Sequence, residues 1–155
     1  MTVGIPKEIK TDEYRVGVTP SGVMELIKAG HEVLVQRDAG IGSGFDNGDY
    51  EKAGALLVST AHEIFQRAQM IMKVKEPIEA EYALLREGHI LFTYLHLAAD
   101  KRLTQLLLEK KVTSLAYETL RVGKRLPLLE PMSEIAGRMA TLFGAVHLGR
   151  YNGGS

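Results

Sequence analysis

The sequence contains no cysteine, which excludes disulfides, thiolate nucleophiles and the common cysteine-ligated zinc sites, and which fits a cytosolic setting. It also has no net charge. Its 19 basic residues balance 19 acidic ones, so no global field draws the chain to nucleic acid or to an anionic membrane, and any anion site has to be local. No apolar run approaches the length needed to cross a bilayer, and the amino terminus, MTVGIPKEI, lacks an extended apolar signal segment. There is no internal repeat and no low-complexity block. The expectation from these absences is a soluble cytoplasmic protein.

What is present is enough for one core. With 155 residues, 45% of them apolar and 25% charged, the chain has the composition of an ordered globular domain. A domain of this size buries roughly 70% of the surface its extended chain exposes.

Short apolar runs alternate with amphipathic ones. Residues 2–5 read as a buried strand stopped by Pro6, followed by a charged loop over 7–14 that delivers Arg15. Thr19 and Pro20 supply an N-cap and a first-turn proline for a helix whose inward stripe is Val23, Leu26 and Ile27, and Gly30 ends it. Residues 32–36 form a second strand. The stretch DAGIGSGFDNGDY then places Gly40, Gly42 and Gly44 after a strand, but Phe45 stands where a dinucleotide fingerprint needs its third glycine, so a flexible turn is expected instead. A short helix over 46–54 turns Tyr50 and Ala53 inward. A strand at 55–59, a helix carrying Ile64 and Phe65, a strand at 70–74, a helix over 79–86 and a strand at 89–94 follow. Asp100 caps a helix with Leu103, Leu106, Leu107 and Leu108 on its buried face, and residues 112–116 make a further strand. The pattern predicts a three-layer, Rossmann-like α/β domain with a mostly parallel sheet and without a dinucleotide fingerprint, spanning 1–130. Residues 126–129 resume an apolar run that can pair at the sheet edge. From 131 to 155 the reading is a helix capped by Ser133, striped with Ile135, Met139, Leu142, Phe143 and Val146, and then a polar glycine-rich tail.

Open α/β sheets bind ligands beyond the carboxyl ends of their strands. Lys75 and His96 both follow such strands, and Tyr94 and His96 share one parity with Phe92. An ammonium and an imidazole there point to an acidic small molecule. Arg15, on a strand-exit loop, can clamp a carboxylate with two parallel bonds. Glu118 follows the strand at 112–116 and can approach the same crevice or pair with a nearby cation. The bland readings are a surface arginine for Arg15, a satisfied half-buried histidine for His96, and a solvated or paired edge residue for Lys73, since a buried unpaired lysine is costly. His31, His62 and His147 read as surface or helix-end residues, and no spacing suggests a metal site.

Six ordered motifs, GIPKEIKTDEYRVGVTPSGV, AGIGSGF, KVKEP, LFTYLHLAAD, AYET and PLLEPMSEIAGRMA, closely resemble the alanine dehydrogenase family across essentially the whole chain. The resemblance implies a cytoplasmic, NAD-dependent enzyme that interconverts L-alanine with pyruvate and ammonium, homohexameric when complete. It implies that a second domain, which binds NAD, follows the amino-terminal substrate domain. The expectation is therefore a fragment or truncated product that lacks the NAD-binding domain, binds NAD weakly if at all, and does not catalyse alone. By the same resemblance Arg15 binds the substrate carboxylate, Lys75 holds carboxylate and carbonyl, and His96 is the general acid/base. Tyr94, Glu118 and Met132 stand near the substrate, and Ser133 faces the cofactor cleft. Alternatives are the related amino-terminal domain of a nicotinamide nucleotide transhydrogenase subunit, favoured less by KVKEP and YLHLA, and a noncatalytic metabolite-binding or assembly module.

Overall fold

The computed structural model describes residues 1–149 and Tyr151. The element order is β1 (Thr2–Ile5), α1 (Pro20–Lys28), β2 (Glu32–Gln36), α2 (Asn47–Lys52), β3 (Leu56–Val58), α3 (Ala61–Arg67), β4 (Met70–Met72), α4 (Glu79–Tyr82), β5 (Ile90–Thr93), α5 (Lys101–Glu109), β6 (Thr113–Ala116) and α6 (Glu130–Leu148). The chain divides into two compact units, Met1–Ala116 and Tyr117–Ser155.

In the first unit all six strands pair in parallel, in the order β3-β2-β1-β4-β5-β6. Alternation along β2 separates two cores: Val33 and Val35 pack with Val23 of α1 and Tyr50 of α2, while Leu34 packs with Ile64 and Phe65 of α3 and Leu103 and Leu107 of α5. The sheet is thus covered on both faces, as the expected three-layer architecture requires. The chain winds outward from β1 to β3, then returns to the other side of β1 with β4. That reversal opens a crevice between the carboxyl ends of β1 and β4, the switch point where such folds bind ligands.

Local sequence explains most boundaries. Thr19, Thr60 and Asp100 cap α1, α3 and α5 with side-chain oxygens on the amides of Gly22, Glu63 and Leu103. Asp46 and Asp49 form a reciprocal capping box at the start of α2.

Six expectations need correction. The strand at 70–74 ends at Met72, and Lys73 lies beyond the end of a central strand, 1% exposed, instead of at an edge. The helix over 79–86 stops at Tyr82, because the next amides, Leu84 and Leu85, bond three residues back to Glu81 and Tyr82 in a tighter turn. Leu108 is 73% exposed, since the face defined by Leu103 and Leu107 turns it outward. The glycine-rich stretch forms a compact 3₁₀ turn over Ile41–Ser43 rather than a flexible connection. Residues 126–129 form no strand; Leu129 and Glu130 instead bond back to the Leu126 carbonyl and lead into α6. Ser133 lies inside α6, which already starts at Glu130, and its amide donates to the Leu129 carbonyl.

The second unit contains a Val122–Arg125 bridge and α6. Arg125 grips Glu130 through Nε at 2.9 Å and Nη2 at 2.5 Å. The stripe Ile135, Met139, Leu142, Phe143 and Val146 is exposed along its length. Of the polar tail, Arg150 and residues 152–155 lie outside the described residues. No helix among the described residues is long and apolar enough to cross a membrane.

Candidate active site at the sheet switch point

The loop after β1 fills the crevice. Glu8 turns inward, and its Oε1 accepts from the amides of Val74 at 2.6 Å and Lys75 at 3.3 Å, tying the loop to the residues that follow β4. Farther along, Glu13 grips Arg15 with two side-chain bonds, Nε to Oε1 at 2.8 Å and Nη2 to Oε2 at 2.6 Å. The loop is docked against the glycine-rich turn, where Ser43 Oγ donates to the Tyr14 carbonyl at 3.3 Å. A side chain at Gly42 would collide with that same carbonyl, so this glycine permits the close approach.

Four expected site residues are brought together. The hydrogen bond from Arg15 holds the Glu13 carboxyl below the usual carboxylate range, with a smaller contribution from the charge of Lys75. Arg15 is correspondingly raised, first by its bond to Glu13, and it also senses Tyr94. The Tyr94 ring stacks on His96 with centroids 6.1 Å apart and planes 30° from parallel. His96 Nδ1 lies 3.3 Å from Glu76 Oε2, and Lys10 pairs with the other Glu76 oxygen. Burial pushes Glu76 upward, but the Lys10 bond, its own backbone and His96 together hold it below its ordinary value. Strand parity does not place His96: β5 ends at Thr93, and His96 has φ 50°, a left-handed turn that starts the next 3₁₀ segment.

Beside Arg15 a cleft of about 410 Å³ is walled by Lys7, Lys10, Glu13, Asp38 and Gly42 among others. Lys75, Tyr94 and His96 are not among its walls, so the chemistry follows the cluster of side chains rather than the volume of this cleft. Glu118, Met132 and Ser133 belong to the second unit; Glu118 and Met132 are half-buried there and Ser133 is exposed.

Reasoning from spacing missed the carboxylates. Glu8, Glu13 and Glu76 organise the cations here, and the available signal was only that KEIKTDEYR and KVKEP each interleave both signs of charge.

An amino-terminal family model, "Alanine dehydrogenase/PNT, N-terminal domain", matches residues 4–136. The chain belongs to this family. Two similar members are the alanine dehydrogenases of Methanococcus maripaludis, 52% identical over 99% of this chain, and Bacillus subtilis, 54% identical over 99%. The chain spans 42% and 40% of their lengths. A solved L-alanine dehydrogenase superposes with TM-score 0.93 at 50% identity, covering 99% of this chain and 43% of its own. A transhydrogenase from Sinorhizobium meliloti gives 0.74 at 27%, covering 78% of this chain and 34% of its own. Within the alanine dehydrogenase/PNT family, these likenesses put the chain nearer the dehydrogenases than that transhydrogenase.

The NAD implied by the resemblance finds no cradle among the described residues of this family member. The β1-to-α1 connection is a long charged loop in place of a tight glycine turn, and the space at Gly40 and Gly42 is taken by Tyr50 and Tyr14.

Proposed function

We propose that the chain is the substrate-binding half of an NAD-dependent alanine dehydrogenase, acting on pyruvate or L-alanine. Arg15 takes the substrate carboxylate, Lys75 holds carboxylate and carbonyl oxygen, and His96 moves the proton at that oxygen. One observation carries the reading: Arg15, on the loop beyond the end of β1, already grips one carboxylate, that of Glu13, with two side-chain bonds. A second carboxylate, Glu76, holds the imidazole beside Tyr94. Tyr94 borders the substrate, while the roles of Glu118, Met132 and Ser133 rest on the resemblance alone. So does the cytoplasmic location. No step through NAD is assigned to these residues, and the chain by itself is expected to make no NADH from L-alanine; sustained NADH production that His96→Ala abolishes would overturn this.

Assembly is part of the same reading. The exposed apolar stripe on α6 supports association with further copies, with the hexamer as the state of the complete enzyme.

A pyruvate titration tests the carboxylate assignment. Weak binding is expected in the parent, lost mainly in Arg15→Ala and impaired in Lys75→Ala. The Arg15 side chain is 50% exposed, so its loss falls below the roughly 2–5 kcal/mol of a buried charge pair. Equal affinity in all three folded proteins rejects the assignment.

A further inference from the structure

Lys73 stands two residues before Lys75 and takes no place in the proposed reaction, yet it is among the most buried side chains of the molecule. Its Nζ lies 2.5 Å from Glu81 Oε1 and 3.3 Å from Glu8 Oε2, and all three side chains are at most 3% exposed. Such a group is expensive to keep. Buried ion clusters are often matched or bettered in stability by apolar residues of similar volume, so stability alone is a weak reason for this one.

The other oxygens of the two carboxylates supply a better reason. Glu8 Oε1 accepts from the amides of Val74 and Lys75, and Glu81 Oε2 accepts from the Ile78 amide at 3.1 Å. Lys73 therefore joins two carboxylates that each hold the backbone of the segment just beyond β4. That segment has left the strand after Met72 and carries both Lys75 and Glu76. The carbonyl side of Lys75 is held as well, by the buried Thr93 hydroxyl at 2.9 Å. Main-chain bonds from Lys73 to the Phe92 carbonyl and from Tyr94 to the Val74 carbonyl keep the segment beside β5, but the amide and the carbonyl of Lys75 are held by side chains.

We propose that Lys73, Glu8 and Glu81, together with Thr93, are positioning residues for Lys75: the buried ion cluster exists to fix the backbone from which the substrate-facing ammonium projects. The substrate part rests on the function proposed above, whereas the backbone part stands on its own.

The test compares the parent with Glu8→Leu/Lys73→Met/Glu81→Leu, which replaces the whole cluster by apolar side chains, and with Thr93→Val and Thr93→Ser. Amide hydrogen exchange is read residue by residue, and pyruvate affinity is measured in parallel. In the folded triple variant, exchange at Val74, Lys75 and Ile78 is expected to rise by about tenfold or more, the factor for losing a charge-assisted bond at each amide, while core amides such as Leu91 keep their protection. Thr93→Val is expected to weaken pyruvate binding and Thr93→Ser to restore it, and this pair gives the reading without disturbing the ions if the triple variant does not fold. Unchanged exchange at the three amides in a folded triple variant overturns the positioning role, as does equal pyruvate affinity in Thr93→Val and the parent. No pyruvate binding by the parent at millimolar concentration would instead overturn the substrate reading, and the exchange result would then still decide whether the cluster holds the backbone.

Discussion

Replacing Lys73 alone by methionine is the sharpest test of how the buried charges are balanced. The methionine retains most of the volume but leaves Glu8 and Glu81 facing one another across an apolar gap, each still holding backbone amides and neither with a cation. Breaking a buried pair in this way costs about 3–5 kcal/mol, because the orphaned charge remains where water cannot reach it. For a chain of this size, such a loss lowers the thermal midpoint by on the order of 10–20 °C. Urea denaturation near neutral pH, with Glu8→Gln/Lys73→Met/Glu81→Gln alongside, separates lost attraction from stranded charge. The compensated variant should recover much of the deficit, since the amide oxygens can still accept from the same backbone groups. A single variant within about 1 kcal/mol of the parent would refute the reasoning, as it would mean that the two carboxylates are solvated or need no cation.

Acid should weaken the fold through His89. This buried imidazole sits with Nε2 2.9 Å from the Phe65 carbonyl and Nδ1 accepting from the Arg86 amide, and burial, then the Arg86 charge, lower its pKa. The unfolded chain then binds the proton more readily, so the stability is intact above about pH 6.5 and falls as the pH drops below it; a denaturation midpoint that does not change between pH 7.5 and 5.5, or a fall that persists in His89→Gln, would contradict this. Tyr50→Phe should cost about 1–2 kcal/mol in thermal or urea unfolding, because it removes the buried bond from the hydroxyl to the Val18 carbonyl, and an unchanged midpoint would show that the carbonyl finds another donor. Light scattering should find association that Phe143→Glu on α6 reverses; a monomer at every concentration would remove that stripe as an assembly surface.

The fold was legible wherever a local rule sets a boundary. Thr19 and Asp100 announce helices through oxygens that satisfy nearby amides, and short apolar runs mark the strands between them. Long-range pairing of charge has no such signature. Lys73, Glu8 and Glu81 look like surface residues because the sequence does not tell which opposite charges will meet, and the same blindness hid Glu13 and Glu76. Alternation also fails at His96, since a single left-handed residue breaks the period that it assumes. Arg15, Lys75, Tyr94 and His96 could be singled out by motif and position, whereas the carboxylates that orient them emerge only when the β1 loop is laid across the end of β4.

The central position of β1 also shapes how this chain comes into being. Its residues leave the ribosome well before those of β4, yet one of its two edges must wait for β4, whose pairing runs through Met70 and Ile71. A nascent chain that has reached only β3 can form the β1–β2–β3 half, with β1, whose Val3 and Ile5 are buried in the finished fold, bare along one side. Such an edge is a template for pairing with another chain. Slow translation between β3 and β4 would therefore be the interval in which aggregation competes with folding, and a synonymous-codon change confined to residues 59–69 would alter soluble yield without altering a single contact of the finished molecule.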